Sequence, residues 1–565
     1  MARTVAIGIQ NFGDLIQKNY FYIDKTAFIK EWWDGGDSVT LIARPRRFGK
    51  TLNMSMVEQF FSIDYAGRKD LFEGLFIWKD EKFRRLQGTY PVISLSFARV
   101  KETDYVTAKE KICEIITNLY IKFSFLRDSE VLTDKDRDFF DRISTDMRDS
   151  YATSALYQMS DYLCRYYGKK VIILLDEYDT PMQEAYVHGY WDALAAFTRS
   201  MFNSSFKANP YLERAIMTGI TRVSKESVFS DLNNLKVVTT TSDEYAASFG
   251  FTEQEVCSAL KECGLAEEKE KVKRWYNGFI FGTHKDIYNP WSILNFLDTG
   301  RYETYWANTS SNSLVGKLLR EGSRQVKADF EKLLNNEQIW RPIDEQIVYN
   351  QLDDNDEAVF SLLLASGYLK ALDYERADLI EDGKEAKYEL ALTNYEVRRM
   401  FEGMVSGWFA GAKADYNDFI KAMMQDDIDA MNAYMNRVAL SVFSYFDTGK
   451  RPSGEEPERF YHGFVLGMIV ELQGTYMITS NRESGFGRYD VMLEPKNQER
   501  DSAFILEFKV FNERRERSLE DTAQEALRQI KEKGYEASLI AKGIPEERIR
   551  KYGFAFKGKE VWIVR

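Results

Sequence analysis

The stretch TLIARPRRFGKTLNMSM, Thr40 to Met56, contains the residue types that hold phosphate groups. Its triplet Gly49-Lys50-Thr51 lies between an apolar β-rich run, Ser38 to Ala43, and a segment with helical apolar spacing, Leu52 to Phe61. In that setting backbone N–H groups at the helix start would cradle phosphate oxygens, Lys50 would reach the terminal phosphates of a nucleotide, and the Thr51 hydroxyl would hold Mg²⁺. Arg44 occupies the position where such loops normally open with glycine, so this loop must follow a somewhat different course.

A second run, KKVIILLDEYDTP, places two carboxylates at the end of a predicted buried strand. Val171 to Leu175 are all apolar and directly precede Asp176 and Glu177. Open α/β sheets bind ligands at the carboxyl edge of their strands, where Asp176 would hold magnesium through water and Glu177 would polarise the attacking water. Taken alone, DEYD is typical of an acidic loop that opens a helix. Its position after the GKT loop favours the nucleotide site.

Two further runs, YPVISLSF (Tyr90 to Phe97) and RAIMTGITRVSK (Arg214 to Lys225), are predicted strands of the same parallel sheet. At the end of the latter strand, Thr218 or Thr221 would sense the terminal phosphate. Arg222 would stabilise the transferring charge, within its own subunit or in a neighbouring one. A surface salt bridge explains Arg222 equally well.

Two runs near the carboxyl terminus combine carboxylates with a lysine. GFGRYDVMLEP places Asp490 in a short strand after a glycine turn, and AFILEFKVF follows as a stronger strand. Because strand side chains alternate, Glu507 and Lys509 share one face and their apolar neighbours share the other. Asp490 and Glu507 would share one or two Mg²⁺ ions at a phosphodiester, and Lys509 would orient or activate the attacking water. The structural alternative is a turn aspartate and a Glu-Lys pair on a solvated sheet face.

Composition limits the class of protein. The chain is 44% hydrophobic and has only 10 prolines, which predicts a folded protein. Its length of 565 residues predicts three or four domains. Its net charge of -12 argues against a uniformly basic nucleic-acid coat, so a DNA-facing surface would be local. Four cysteines without a CxxC pair and three histidines indicate a reducing compartment and leave Mg²⁺ or Mn²⁺ on carboxylates as the expected metal chemistry.

Apolar segments of sufficient length direct a chain to a membrane or out of the cell. The amino terminus, MARTVAIGIQNFGD, has no apolar run of signal-peptide length, and no stretch reaches the roughly 18 apolar residues of a membrane span. We therefore expect a cytoplasmic protein without a membrane partner.

Several ordered motifs together carry a resemblance. FYIDKT, RPRRFGKT, LLDEYDTP, TGITRVSKESVFSDLNNL, WYNGFIFG and YNPWSILNFL resemble the AAA-ATPase-like family, in which an Arg-opened phosphate loop is the usual form. The resemblance implies a P-loop AAA-like parallel sheet over residues 1–250 and a helical lid over 251–330, with Phe251 to Leu297 as its main part. It also implies ATP as ligand. The implied ATP-binding residues are Arg46, Arg47, Phe48, Gly49, Lys50, Thr51, Asp176, Thr218 and Arg222.

The middle region, 331–410, shows a helix, a strand, a polar turn, a strand and a helix in FSLLLASGYLKALDY, ERADLIEDGKEA and KYELALTNYEVRRMF. That order is similar to a winged helix-turn-helix module. Such modules bind DNA in some proteins and only pack in others. The turn is rich in Asp and Glu, which phosphate repels, so packing is favoured here.

The last region, 411–565, resembles the PD-(D/E)XK nuclease-like domain that accompanies the AAA-ATPase-like family. The motifs are YHGFVLGM, SNRESGFGRYDVMLEP, ILEFKV and ALRQIKEKGY, in a predicted order of helix, three strands, helix, strand. The resemblance implies that Asp490, Glu507 and Lys509 are catalytic, that Gln529 assists, and that Glu458, His462 or Glu471 adds a metal contact. His462 is otherwise a packed polar residue. Arg482 and Arg488 would touch phosphate or pair with nearby carboxylates.

These observations predict a prokaryotic ATPase fused to a metal-dependent nuclease, in which the nucleotide state controls access to DNA or RNA. A homo-oligomer is required if Arg222 acts between subunits. Two alternatives belong to other classes. One is a nucleotide-dependent switch or scaffold whose nuclease-like domain only binds nucleic acid or a protein, and the other is an ATPase whose client is protein.

Overall fold

The computed structural model describes residues 3–565 except 208, 224–227, 230–231, 308–312, 322, 335, 345, 348–351, 353–354, 376–385, 409–412, 443–464, 466–468, 470–471, 473–474, 481–482, 485–486, 489 and 512–515. The chain divides into two compact units, Met1–Met400 and Phe401–Arg565. Each unit has its own sheets and its own buried core.

The first unit alternates helices with strands along most of its length. Its α-helices are α1 Phe12–Gln17, α2 Ala27–Gly35, α3 Lys50–Phe61, α4 Glu81–Leu86, α5 Tyr105–Lys122, α6 Asp134–Phe140, α7 Asp149–Ala152, α8 Ala155–Tyr167, α9 Thr180–His188, α10 Trp191–Phe206, α11 Glu253–Glu262, α12 Lys269–Tyr276, α13 Pro290–Thr299, α14 Ser313–Glu321, α15 Arg324–Leu334, α16 Asp356–Ala365 and the start of α17 Tyr395–Trp408. Its strands are β1 Val39–Ala43, β2 Val92–Ser96, β3 Val171–Asp176, β4 Leu212–Gly219, β5 Arg222–Val223, β6 Leu235–Val238, β7 Phe251–Thr252, β8 Asn277–Phe281, β9 His284–Tyr288, β10 Ile339–Pro342, β11 Gln346–Ile347, β12 Leu369–Tyr374 and β13 Lys387–Leu392.

A five-stranded sheet forms the centre of the first unit. Its order is β2-β3-β4-β1-β6, and every neighbouring pair is parallel. All residues of β1 and β3 are buried, which agrees with their largely apolar sequences. Because the strands are parallel, their carboxyl ends lie at one edge, where ligands of such sheets bind. The predicted P-loop AAA-like sheet is confirmed.

Strand β4 lies between the two strands that carry the predicted site motifs. In the register Ile42 of β1 pairs with Thr218 of β4, and Met217 pairs with Leu175 of β3. The carboxyl end of β4 therefore lies between the GKT loop and Asp176.

The segment predicted as a helical lid contains α11, α12 and α13, and it also contains a small antiparallel sheet of order β7-β9-β8. A capping box between Thr252 and Glu255 starts α11, and the Asn289 side chain caps the start of α13 with Pro290 in its first turn. The strands place aromatic side chains of the WYNGFIFG run beside the phosphate-binding loop.

The middle region has the predicted succession of helix, strand, strand and helix in α16, β12, β13 and α17. Strand β10 completes an antiparallel sheet of order β10-β13-β12. Most of the acidic turn, residues 376–385, lies outside the described residues. The short strand β11 pairs in parallel with β5 of the ATPase core, so this region is tied to the core by backbone hydrogen bonds.

The second unit is a mixed sheet with helices packed on it. Its helices beyond α17 are α18 Lys413–Gln425, α19 Ile428–Val442, α20 Leu519–Lys533 and α21 Ala537–Ala541. Its strands are β14 Tyr476–Ser480, β15 Glu483–Ser484, β16 Gly487–Arg488, β17 Val491–Pro495, β18 Ala503–Val510, β19 Ile549–Lys557 and β20 Glu560–Val564. The main sheet has the order β14-β17-β18-β19-β20, with β18 and β19 parallel and the other pairs antiparallel.

Helix α19 covers the edge strand β20 by an unusual pattern of hydrogen bonds. The Asn432 side chain donates to the carbonyl of Ile563 and accepts from its N–H, and Asn436 does the same at Val561. Two amides one helical turn apart thus match alternate residues of the strand. This pairing satisfies backbone groups that an open sheet edge would expose.

No helix among the described residues has the length and apolar character needed to cross a lipid bilayer.

Candidate active sites

The phosphate-binding loop connects β1 to α3, and its backbone shows why position 44 does not need glycine. All loop residues are described, and positive φ angles occur at Arg47 (64°) and Gly49 (79°) only. Glycine is favoured at such angles because it lacks a Cβ. Gly49 has the conformation expected of it at the start of α3, while the backbone of Arg44 lies in a region that any residue adopts.

The Arg44 side chain holds the loop entrance in place. It is fully buried and donates to the carbonyl oxygens of Thr239 and Glu244, at 2.9 Å for the latter. Its guanidinium lies 4.4 Å from the ring centre of Phe281 in β8. Arg44 thus connects the loop to the segment after β6 and to the lid sheet. This structural role was not predicted, because nothing near Arg44 in the sequence indicates partners so far along the chain.

Lys50, Thr51, Asp176 and Thr218 come together at the carboxyl edge of the sheet. Lys50 Nζ donates to the carbonyls of Arg44 at 2.7 Å and Pro45 at 2.8 Å. The Thr51 hydroxyl donates to Asp176 Oδ2 at 2.7 Å, and the Thr218 hydroxyl donates to Asp176 Oδ1. Thr218, next to the GKT loop on β4, therefore joins the two motifs.

Burial controls the charges of this cluster. Lys50 and Asp176 are both nearly inaccessible to solvent. Burial lowers the pKa of Lys50 and raises the pKa of Asp176, whereas the hydroxyls of Thr218 and Thr51 oppose the second shift. A buried lysine bonded to neutral carbonyls and a buried carboxylate bonded to hydroxyls are suited to a ligand that brings phosphates and a divalent cation.

The run after β3 contains a second buried carboxylate that sequence analysis did not single out. Asp179 accepts hydrogen bonds from the N–H groups of Ile220 and Thr221 at 2.9 Å and from the Thr221 hydroxyl at 3.0 Å. These bonds from Thr221 to Asp179 anchor the loop that follows β4. The available signal was the last aspartate of DEYD.

Glu177 is adjacent to this cluster. Its backbone has a positive φ of 50°, and its N–H donates to the Thr218 hydroxyl at 3.4 Å. Its carboxylate accepts from the Thr180 hydroxyl at 3.2 Å. The unusual backbone angle is the kind of local strain that proteins retain where a side chain must be aimed.

The three residues before Gly49 have different surroundings. Arg46 donates to Gln183 of α9 at 3.0 Å, and the Arg47 guanidinium lies 4.4 Å from the ring centre of Trp291 in α13. Phe48 is buried against the rings of the lid sheet, with a centroid distance of 4.7 Å to Phe279. Phe48 and Arg47 therefore fasten the loop to the lid.

Arg222 lies in β5, whose backbone pairs with β11 of the middle region. Its side chain lines a cavity together with Ala43, Thr240 and Ser361. This cavity joins the core to the middle region of the same chain.

In the second unit, Asp490 and Glu507 lie side by side. The Asp490 carboxylate accepts from the Phe508 N–H at 2.8 Å, and the Asp490 N–H donates to Glu507 at 3.3 Å. Glu507 is only 3% exposed, on the sheet face that packs against α20. Lys509 is two residues further along β18 and is half-buried. The structural alternative, in which Glu507 lies on a solvated sheet face, is therefore wrong because Glu507 is buried.

Helix α20 delivers Gln529 to this carboxylate pair. Its side-chain amide donates to Glu507 and, at 3.1 Å, to the hydroxyl of Tyr535, a buried residue that sequence analysis missed. Gly553 faces Glu507 on the neighbouring strand β19. A Cβ there would lie 2.2 Å from the Ala523 oxygen of α20, so the absent side chain lets the helix approach.

The donor set fits a hard divalent cation, because Asp490 and Glu507 supply carboxylate oxygens. Among the residues that the structure describes, no group of three or more His, Cys, Asp or Glu side chains is assembled for a metal. Glu458, His462, Glu471 and Arg482 lie outside the described residues, as does the side chain of Arg488.

Comparisons with known proteins identify two domains in the chain. Residues 6–229 match the family model described as predicted AAA-ATPase, and residues 456–565 match that of the PD-(D/E)XK nuclease superfamily. An uncharacterized protein in the vnfD 5′ region of Azotobacter chroococcum mcd 1 is 24% identical over 558 residues, which cover 96% of this chain and 95% of that protein.

Two solved structures are distantly similar. A STAND protein (Signal Transduction ATPase with Numerous Domains) with a tetratricopeptide repeat sensor, from Pyrococcus horikoshii, aligns at 12% identity and a TM-score of 0.24, over 75% of this chain but only 53% of that one. The ORC2 protein of Aeropyrum pernix aligns at 10% identity and a TM-score of 0.25, over 67% of this chain and 92% of that one. On the two family matches and their order, the chain joins an AAA-ATPase-like domain to a carboxyl-terminal domain of the PD-(D/E)XK nuclease superfamily.

Proposed function

We propose that this protein binds and hydrolyses ATP at the Lys50 site and cleaves a phosphodiester bond of DNA or RNA at the Asp490 site. The observation that carries the first half is that Thr51 and Thr218 both bond Asp176 at the sheet edge where Lys50 is buried. A buried ammonium and a hydroxyl-bonded carboxylate are what a magnesium nucleotide requires.

In the ATP site, Thr51 and Asp176 would hold Mg²⁺, which neutralises charge on the phosphates when bound. Lys50 would hold the β- and γ-phosphates, and Thr218 would report the terminal one. A water oxygen forms a bond to the γ-phosphorus while the bond from that phosphorus to the bridging oxygen breaks. The bridging oxygen keeps the electron pair in ADP, and Glu177 accepts the water proton.

In the nuclease site, Asp490 and Glu507 would hold Mg²⁺ or Mn²⁺, which stabilises the charge of the reacting phosphodiester when bound. Gln529 fixes one oxygen of Glu507, and Lys509 orients the attacking water. The water oxygen bonds to phosphorus, its proton passes to solvent, and the bond from phosphorus to a sugar oxygen breaks. That oxygen keeps the electron pair and takes a proton from solvent.

The test is cleavage of labelled DNA and RNA panels with Mg²⁺ or Mn²⁺, with and without ATP. Wild type is compared with Asp490→Asn, Lys50→Ala and Glu177→Gln, and ATP hydrolysis is measured in parallel. We expect Asp490→Asn to abolish cleavage and to keep ATP hydrolysis. Lys50→Ala should abolish ATP hydrolysis and alter the ATP dependence of cleavage.

Failure can occur in either half. If wild type hydrolyses ATP but cuts no substrate, or if Asp490→Asn cuts as well as wild type, the nuclease assignment is wrong. The nuclease-like domain is then a binding module in a nucleotide-dependent switch.

We further propose the domain division 1–250, 251–330, 331–410 and 411–565, corresponding to ATPase core, lid, winged-helix-like region and nuclease-like domain. The winged-helix-like region would pack on the core, which the β5–β11 pairing supports. Sedimentation with and without ATP tests a homo-oligomer.

A further inference from the structure

Arg46 is held both at its backbone carbonyl and at its guanidinium. Its backbone carbonyl accepts from the indole N–H of Trp306 at 3.0 Å and from the Asn289 side chain at 3.4 Å. Its guanidinium donates to Gln183 at 3.0 Å. Gln183 lies in the first turn of α9, directly after the run that contains Asp176 and Glu177. The Arg46 side chain therefore reaches from the phosphate-binding loop to the helix that follows the acidic motif.

Two neighbouring arginines are directed elsewhere. Arg47 is exposed and stacks on Trp291 of the lid. Arg222 lines the cavity beside Thr240 and Ser361, whereas Arg46 lines a separate cavity with Gln183 and Trp306. Of these three cations, Arg46 is the one whose contacts connect the loop to α9.

The charge of Arg46 also acts on Lys50. Burial is the main cause of the lowered pKa of Lys50. The carboxylates of Glu177, Asp179 and Asp176 raise that pKa, and the Arg46 charge, a smaller effect, lowers it. A multivalent anion that binds beside these two cations is attracted by both of them. The terminal phosphate of ATP, which gains charge on its outer oxygens during transfer, is such an anion.

We propose that Arg46 contacts the terminal phosphate of ATP and stabilises the transferring phosphoryl group from within the same chain, so that the phosphate-binding loop carries its own arginine finger. This inference rests on the proposed ATPase function and deepens it. It assigns to Arg46 the charge-stabilising role that the sequence suggested for Arg222.

Trp306 is the positioning residue for Arg46. Its backbone N–H donates to the fully buried Glu396 at 2.6 Å, and Glu396 also accepts from the Ser292 hydroxyl at 2.8 Å. The indole lies against Phe279, at a centroid distance of 5.4 Å. The buried Glu396 carboxylate of α17 thus holds Trp306 in place, and Trp306 in turn holds the Arg46 carbonyl. The middle region and the lid together determine where the guanidinium lies.

The experiment compares Arg46→Gln, Arg46→Lys and Arg222→Gln with wild type in full-length protein. Three quantities are measured: kcat for Mg-ATP, the Kd for Mg-ADP, and formation of the ADP–aluminium fluoride complex, an analogue of the transition state. We expect Arg46→Gln to lower kcat about 1000-fold, the low end of the effect of such arginines. Its Kd for ADP should stay within about threefold, and the aluminium fluoride complex should be lost. Arg46→Lys should restore part of kcat.

Trp306→Phe tests the positioning role, because phenylalanine keeps the ring contact and removes the N–H. We expect kcat to fall about tenfold with the Kd for ADP unchanged, as for a misplaced reacting group. A purely structural role would instead weaken ADP, ATP and aluminium fluoride complexes equally.

The outcomes separate this inference from the proposed function. If wild type hydrolyses ATP and Arg46→Gln keeps the wild-type kcat, or if only Arg222→Gln loses the aluminium fluoride complex, Arg46 is not the finger and the ATPase assignment stands. If wild type neither binds nor hydrolyses ATP, the proposed function fails, and this inference fails with it. A protein with unchanged far-UV circular dichroism and unchanged ADP affinity establishes that Arg46→Gln is folded.

Discussion

Replacing Arg44 with glycine introduces the residue that opens ordinary phosphate-binding loops, yet we expect it to destabilise this protein. The backbone at position 44 needs no glycine, since its φ angle is not positive. The substitution removes the side chain that donates to Thr239 and Glu244 and lies over Phe281. The structure therefore predicts that restoring the common motif is harmful.

The magnitude follows from the separate contributions. The Thr239 carbonyl keeps the Ser242 N–H as a donor, so losing the Arg44 bonds to Thr239 and to Glu244 costs about 1 kcal/mol each. The lost cation–π contact contributes about 0.5–2 kcal/mol, and the freer glycine backbone about 0.5–1 kcal/mol. Relief from burying a guanidinium offsets part of this sum. We expect a net loss of about 3 kcal/mol, or roughly 6–12 °C in Tm at 2–4 °C per kcal/mol for a domain of this size.

Differential scanning calorimetry of the full chain, with and without ADP, measures this shift. Arg44→Lys is the matched control, because it keeps the charge but cannot donate to both carbonyls in the same geometry. Its Tm should lie between those of wild type and Arg44→Gly. An Arg44→Gly protein that melts within 1 °C of wild type and binds ADP as tightly, an outcome far below the ~3 kcal/mol loss, would show that Arg44 is not a structural clamp.

Three further predictions use other parts of the structure. Burial raises the pKa of Glu396 to about 7 from 4.5, so its contribution to stability is complete below pH 4.5 and about 3 kcal/mol is lost as pH rises through 7. The Glu396→Gln variant should lack this loss when the free energy of unfolding is measured by denaturant titration at pH 5 and pH 8. A variant whose free energy of unfolding falls between these pH values as much as that of wild type would contradict the prediction. Gly553→Ala should weaken Mn²⁺ binding in calorimetric titrations about 10-fold to 100-fold by displacing α20, whereas Gly67→Ala, in open space, should not; equal affinities would refute this reasoning. Replacing both Asn432 and Asn436 with alanine should expose the β20 edge and cause concentration-dependent association in sedimentation velocity, and a monodisperse double variant would argue against edge protection.

Much of the fold could be predicted from the sequence. The continuous apolar runs before Ala43 and Asp176 predicted buried parallel strands, and both strands are buried throughout. The resemblance to AAA-ATPase-like and PD-(D/E)XK proteins is confirmed by the two family matches. These signals survive in a single sequence because each depends on residues that are close neighbours along the chain.

The lid could be predicted only in part. The family resemblance implied a helical segment here, and helices α11 to α13 are present, but the sheet β7-β9-β8 depends on strands of two to five residues. Strands that short carry little local signal, since pairing with a partner strand stabilises them.

The sequence by itself determined which chemical groups are present and the order of the motifs that carry them. Only the tertiary structure decided which groups meet. Arg44 binds carbonyls 195 and 200 residues away, and Trp306 reaches the Arg46 carbonyl across 260 residues. The same is true of Gly553, whose missing side chain matters only because α20 passes over it. Hydrogen bonds and close contacts at such separations arise from the packing of whole elements, and a single sequence contains no local pattern that specifies them.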